Sequence, residues 1–269
     1  MRFANGVRMP QLGFGVWQVP DDEAERAVAT ALAAGYRSID TAEAYQNEAG
    51  VGRALRASGL PREEVFVTTK LPNWRHHEAA TALKERLARL GLDYVDLYLI
   101  HWPVPRQDRY LQAWKELERL HADGLARAIG VSNFAVEHLR RLLDEADVVP
   151  VINQIELHPY FQQAELRAFH AEHGILTEAW SPLGQGPRSG LLDDPVLARI
   201  AAKHGKTPAQ VVLRWHLQLG NVVIPKSVTP ARIRENIDVF DFALDEADLA
   251  EIAALDRGTR IGPDPRTFG

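Results

Sequence analysis

Seven apolar segments of strand length in this chain each run into a polar or aromatic residue. They end at Asp40, Lys70, His101-Trp102, Ser132-Asn133, Gln154, Trp180-Ser181 and Lys226-Ser227, and Tyr45 lies in the loop just after Asp40. A lysine at the end of an apolar strand is partly desolvated and needs a counter-ion. Asp40, on the preceding strand, can supply it. A cation beside Tyr45 would stabilise the phenolate and lower the tyrosine pKa toward that of a useful general acid. His101 can hydrogen-bond a carbonyl oxygen. Together these groups can protonate an oxygen as a hydride arrives at the adjoining carbon. None of them can itself donate a hydride, so the chemistry calls for a nicotinamide. Taken singly, Asp40 reads as a helix cap, Lys70 as a surface lysine, Tyr45 as loop packing and His101 as a core histidine. Their convergence on one end of a set of strands is what points to a site.

The elements that position them follow a repeat. Eight strand candidates each precede an amphipathic stretch: 11–17, 36–40, 65–70, 94–101, 125–132, 149–156, 175–180 and 221–226. The strand runs alternate little, as expected when both faces are buried. Leu83, Leu87 and Leu90 line one helical face. Gly35, Gly124 and Gly174 mark helix ends, and Thr207-Pro208 suits a helix start. Eight β/α units in 269 residues fit a (β/α)8 TIM barrel, with active-site residues at the C-terminal strand ends. A doubly wound open sheet fits the same count less well. Residues 3–10 read as a short β-hairpin with Asn5-Gly6 at its turn, capping the barrel bottom. No linker or shift in composition divides the chain, so one domain over 1–269 is expected.

Other chemistries find little support. The chain has no cysteine, which excludes disulfides, thiolate catalysis and Cys-ligated metal. Ten histidines are scattered without metal-ligand spacing, and no metal is expected. There is no G-x-G-x-x-G, and Gly205-Lys206-Thr207 lacks the earlier glycine of a phosphate loop, with Ile200 in its place. Ser132 sits in GVSNF, without the second glycine of a nucleophile elbow. The net charge of -5 argues against nucleic acid as a partner. No apolar run approaches membrane-spanning length. The first residues hold no apolar signal core followed by a cleavage site. A cytoplasmic monomer acting on a small molecule is the expectation.

Several strings resemble the aldo-keto reductase family. DTAEAYQNEAGVG (40–52), VTTKL (67–71) and VDLYLIHWP (95–103) resemble the segments carrying its catalytic Asp, Tyr, Lys and His. GVSNF (130–134), NQIELHPY (153–160), AWSPLGQG (179–186) and IPKSVTPARIRENIDVFDF (224–242) resemble its cofactor segments. The match runs through nearly the whole chain, and it is nearest the bacterial branch that includes 2,5-diketo-D-gluconate reductases. The resemblance implies NADPH-dependent reduction of an aldehyde, ketone or diketo sugar acid. It makes Tyr45 the proton donor, with Lys70 and Asp40 tuning it and His101 orienting the carbonyl. Trp180 would stack on the nicotinamide, and Ser132, Asn133 and Gln154 would bond its carboxamide. The loop Ser181, Leu183, Gly184, Gln185 and Gly186 would wrap the pyrophosphate. Lys226, Ser227 and Arg232, with Val228 between them, would hold the 2′-phosphate, and Glu235 and Asn236 would meet the adenine.

The sequence departs from the family where Pro72-Asn73-Trp74 follows Lys70-Leu71, a place where related reductases often put an aromatic pocket residue. Trp17, Trp74 and Trp102 are the substrate-pocket candidates. Two other readings remain at this level. One is a barrel lyase with Lys70 as a Schiff base, although Asp40 would keep that lysine charged. The other is a nucleotide sensor without turnover.

Overall fold

The computed structural model describes residues 1–269 apart from the side chain of Pro187. Eight parallel strands form one sheet in sequence order: β1 (Phe14–Gly15), β2 (Ser38–Asp40), β3 (Phe66–Leu71), β4 (Val95–Ile100), β5 (Ala126–Ser132), β6 (Ile152–Glu156), β7 (Leu176–Trp180) and β8 (Val222–Val223). The sheet closes on itself. Leu12 bridges Val223 in parallel, and the Gly13 and Gly15 N–H groups donate to the carbonyls of Val223 and Pro225. The architecture is the expected (β/α)8 barrel. Seven of its eight strands fall inside the apolar runs and β3 passes the end of its run by one residue, Leu71, while β1 and β8 shrink to two residues each.

The helices between strands are α1 (Asp21–Ala33), α2 (Glu48–Ala57), α3 (Ala79–Leu90), α4 (Tyr110–Ala122), α5 (Val136–Glu145), α6 (Ala164–Glu172), and then α7 (Pro195–His204) and α8 (Pro208–Gln218) together between β7 and β8. Two follow β8: α9 (Pro230–Ile237) and α10 (Glu246–Ala253). The expected face of α3 is the buried one, through Leu83, Leu87 and Leu90. Thr207 starts α8 with a reciprocal cap, accepting from the Gln210 N–H while the Gln210 side chain accepts from its own N–H. Gly35, Gly124 and Gly174 follow their helices with positive φ. Sequence reading did not anticipate α10, although Asp245 and Asp248 form a capping box at its start.

The N-terminal hairpin is present. Arg2 pairs with Arg8, and Gly6 donates to the Phe3 carbonyl across the Asn5-Gly6 turn. Asn5 Nδ2 donates to the Arg127 carbonyl near the start of β5, which puts the hairpin at the bottom of the barrel. Phe3 and Met9 pack there with the interior residues Phe66, Leu97, Leu99, Ala128, Ile152 and Val222. The lower barrel is therefore filled with apolar side chains. Polar groups belong to the upper layers, where the strands end.

Candidate active site

Asp40 is the last residue of β2, and Lys70 the fifth of six in β3. Strand alternation turns Phe66, Thr68 and Lys70 to one face, and Phe66 is already in the barrel interior, so Lys70 points in above it. Its ammonium is wholly buried. Nζ donates to Asp40 Oδ1 at 2.5 Å, to the Thr41 carbonyl at 2.9 Å and to the Tyr45 hydroxyl at 3.5 Å. A buried cation is tolerable on these terms because each of its three N–H groups has an acceptor. Burial pulls the Lys70 pKa down, but the opposing fields of Asp40 and Tyr45 leave it raised, so the ammonium persists.

Tyr45 corrects one expectation. From the sequence, Lys70 is expected to lower the tyrosine pKa. Lys70 does pull in that direction, yet burial outweighs it, and Asp40 and Glu178 add to the rise. The net shift is upward, and the phenol is held in its protonated form. His101, the first residue after β4, packs edge-on against Tyr45, with ring centroids 5.7 Å apart at 75°. Burial first, and then the Lys70 charge, holds its pKa well below the usual histidine range. It is a neutral imidazole near pH 7 and has one N–H to give.

A second set of bonds joins the ends of β5, β6 and β7. Ser132 Oγ donates to the Gln154 carbonyl at 2.8 Å, and Asn133 Nδ2 donates to Ser132 Oγ and to the His101 carbonyl, both at 3.0 Å. Asn133 Oδ1 accepts from the Trp180 indole N–H at 2.8 Å and so fixes the ring plane. Asn133 and Ser181 both have positive φ, at 62° and 49°, a strained backbone of the kind that collects at functional sites. Gln154 Nε2 donates to Asp40 Oδ2 at 2.7 Å and to Glu178 Oε2 at 2.9 Å. This amide thus links the two sets.

A cavity of about 1130 Å³ opens above these residues. Tyr45, His101, Ser132, Asn133, Gln154, Trp180, Asp40, Trp17 and Trp102 line one part of it. Ser181, Leu183, Gln185, Gly186, Lys226, Ser227, Arg232, Glu235 and Asn236 line the other. Lys226 and Arg232 are exposed, and neither forms an ion pair among the described residues. Lys70 lies beneath the lining, reaching the cavity through Tyr45.

Besides Lys70, three candidates fall outside the lining. Trp74 is 60% exposed at the surface. Its 3-10 turn, Asn73–Glu78, is fixed by Arg75, whose guanidinium turns inward to Glu43, Glu78 and Glu85. Val228 is 37% exposed, beyond the rim. Gly184 is turned into its own loop: a Cβ there would lie 2.2 Å from Ser189 Oγ. The positive φ of 68° at this position suits a glycine as well.

The sequence singles out none of the residues of one further wall, which the C-terminal tail supplies. Ile261, Gly262, Pro263 and Phe268, from the C-terminal tail, line the cavity. Buried Glu156, the last residue of β6, anchors them. It accepts from the Ile261 N–H at 2.6 Å and the Gly262 N–H at 2.8 Å. A Cβ on Gly262 would stand 2.5 Å from the Trp180 ring, and Phe268 packs on Trp102 at 4.6 Å. Ile261 and Phe268 in the tail and the acidic end of the β6 run were visible signals, but nothing local joins them. Glu178, also missed, was legible as a carboxylate inside the strand run ILTEAW. Among the described residues, no cluster of His, Asp or Glu is gathered as a metal site.

Comparison with known proteins agrees with this geometry. The model of the Aldo/keto reductase family matches residues 10–257. The chain is 56% identical to methylglyoxal reductase DkgA of Escherichia coli (strain K12) over 269 residues, which cover 100% of this chain and 98% of that protein. It is 57% identical over 266 residues to an aldo-keto reductase of Mycolicibacterium smegmatis, covering 98% and 96%. Among solved structures, a Gox0644 mutant in complex with NADPH superposes with a TM-score of 0.95 at 49% identity, covering 100% of this chain and 98% of that one. An aldo/keto reductase from Brucella melitensis gives 0.91 at 53% identity, covering 95% and 98%. Family match, full-length identity and barrel superposition agree: this chain belongs to the aldo/keto reductase family.

Proposed function

We propose that this protein uses NADPH to reduce a small carbonyl compound to an alcohol. The observation that carries the reading is the buried Lys70 ammonium, bonded to Asp40 and to the hydroxyl of a tyrosine that faces the cavity. NADPH, when bound, supplies the hydride. The cavity suits such a group. It takes in the strand ends of β5 to β7 at one side and, at the other, two cations that form no ion pair among the described residues. Lys226 and Arg232, with the Ser227 hydroxyl, present the donors that a phosphate dianion needs. Trp180, held flat by Asn133, offers an aromatic face, and Gln154, Ser132 and Asn133 offer amide and hydroxyl partners.

Tyr45 gives its proton to the carbonyl oxygen. The phenolate left behind is stabilised by the Lys70 ammonium, which Asp40 and the Thr41 carbonyl hold in place. His101 donates its single N–H to the same oxygen and orients it. Trp17, Trp102 and Phe268 narrow the mouth with aromatic surface, which favours a compact substrate. The DkgA relatives are named methylglyoxal reductases, so a short α-oxoaldehyde is the preferred class, ahead of a diketo sugar acid. The full chain is read as one domain, since all eight strands share one sheet, and as a monomer of the cytoplasm, where NADPH is regenerated. No helix is long and apolar enough to cross a membrane. A Schiff base on Lys70 is disfavoured, because every N–H of that ammonium is engaged below the cavity surface.

The test is a carbonyl panel of methylglyoxal, simple aldehydes and a diketo sugar acid, followed by NADPH absorbance. Fastest consumption with methylglyoxal is expected. Binding of NADPH without oxidation by any member of the panel would establish the sensor instead.

A further inference from the structure

One buried acid is unused by the chemistry above. Glu178, in the middle of β7, has no exposed surface. It is paired in register with Gln154 on β6, and its Oε2 accepts from Gln154 Nε2 at 2.9 Å. The same Nε2 donates to Asp40 Oδ2. Both amide protons of Gln154 are thus committed to carboxyl groups, one on each side. A flipped amide would set its carbonyl oxygen against the Asp40 carboxylate and lose that bond.

Glu178 Oε1 has no hydrogen-bond partner among the described residues. A bare anionic oxygen there would cost far more than a neutral one. The ionisable groups facing it are Asp40 from β2 and Lys70 from β3, with Tyr45 beyond Lys70. From β6 comes the neutral Gln154, and from β8 the apolar Val222 at the same register. Asp40 already neutralises Lys70, so a second carboxylate has no cation of its own.

We propose that Glu178 is a positioning residue of this site: as a neutral acid it locks the Gln154 amide against Asp40, and its ionisation places a second negative charge beside Lys70 and Tyr45 that opposes proton donation. Burial first, and then the Asp40 charge, pushes its carboxyl up to about 8, which puts the change in the working range. Once Glu178 ionises, the phenolate formed on Tyr45 is disfavoured, so reduction slows as pH rises through that value. The inference rests on the roles assigned above to Gln154 and Tyr45.

The experiment measures NADPH affinity by tryptophan quenching and the pH profile of kcat for carbonyl reduction in the full chain. Glu178→Gln retains an acceptor for Gln154 but cannot ionise. It should bind NADPH within about twofold of wild type and lose the fall in kcat near pH 8. Glu178→Leu removes the acceptor and should weaken NADPH roughly 2- to 10-fold, the loss expected of one buried hydrogen bond. An unchanged alkaline limb in Glu178→Gln overturns the proposal, as does unchanged affinity in Glu178→Leu. Tyr45→Phe is the control. If it reduces carbonyls at the wild-type rate, the assignment of the proton donor has failed. If it is inactive while the Glu178 variants behave as wild type, only the Glu178 inference has failed.

Discussion

Tyr45 keeps its proton because burial overrides the cation beside it, and Lys70 keeps its charge because Asp40 overrides burial. The pair is therefore an acid ready to give and a cation ready to compensate. Tyr45→Phe should lower kcat by about 10²- to 10⁴-fold, the usual range for a lost general acid. Its NADPH dissociation constant, read by fluorescence titration, should not change. At the other end of the cavity, Arg232→Ala removes one of the two cations proposed to hold the 2′-phosphate. NADPH binding should weaken by about tenfold or more while NADH binding changes little. Equal losses for the two coenzymes would remove the assignment to the 2′-phosphate. Asp40, Tyr45, Lys70 and His101 were legible in the sequence because each closes or follows an apolar run. Their protonation states were not, because these depend on burial and on Glu178, across the barrel. Trp74 shows the opposite failure: an aromatic in the right stretch of chain was turned outward by the inward pull of its neighbour Arg75.

At the level of elements, parallel strands fed by helices were readable because apolar runs and amphipathic runs alternate along the chain. The boundaries of β1 and β8 were not, since both are trimmed where the barrel closes and the ladder becomes a single bridge. Which tail residues form the wall was not legible for a related reason, as their anchor lies about a hundred residues upstream at Glu156. Helix spacing makes its own demand. Gly52 in α2 lies against the end of α3, and a Cβ there would fall 2.2 Å from the Leu90 carbonyl oxygen. Backbone cannot yield as a side-chain end can, so Gly52→Ala should lower stability by about 1–3 kcal/mol in urea denaturation. Stability equal to wild type would show that the helices can part without cost. Because α2 begins three residues after Tyr45, the same variant should also lower kcat.

Across the whole molecule, buried titratable groups set two opposing pH trends. Burial holds His76, His170 and His216 down, from 6.5 to about 4, about 3 and about 3. Below pH 6.5 the unfolded chain takes up those protons first, so this stability is lost as pH falls through the folded values. Burial pushes Glu48 and Glu178 up, from 4.5 to about 7 and about 8. Their effect has the other sign: stability is lost as pH rises from 4.5 through those values. Between pH 4.5 and 6.5 the trends oppose each other. Below 4.5 the histidines act without that opposition, joined by Asp245, which its bond to Lys203 pulls down to about 2. Thermal unfolding should show a shallow plateau over the middle window and a steep fall in Tm below it. A monotonic decline from neutral pH would contradict this balance. The grip of Glu156 on the tail has a different kind of consequence. Both of its bonds go to main-chain N–H groups, so they do not depend on which side chains the tail carries. Among the tail residues that line the cavity, only position 262, pressed on Trp180, demands a glycine. Around that one fixed point the tail can change its residues, and with them the molecules admitted, while staying fastened to the barrel: a replaceable wall on a permanent hinge pin.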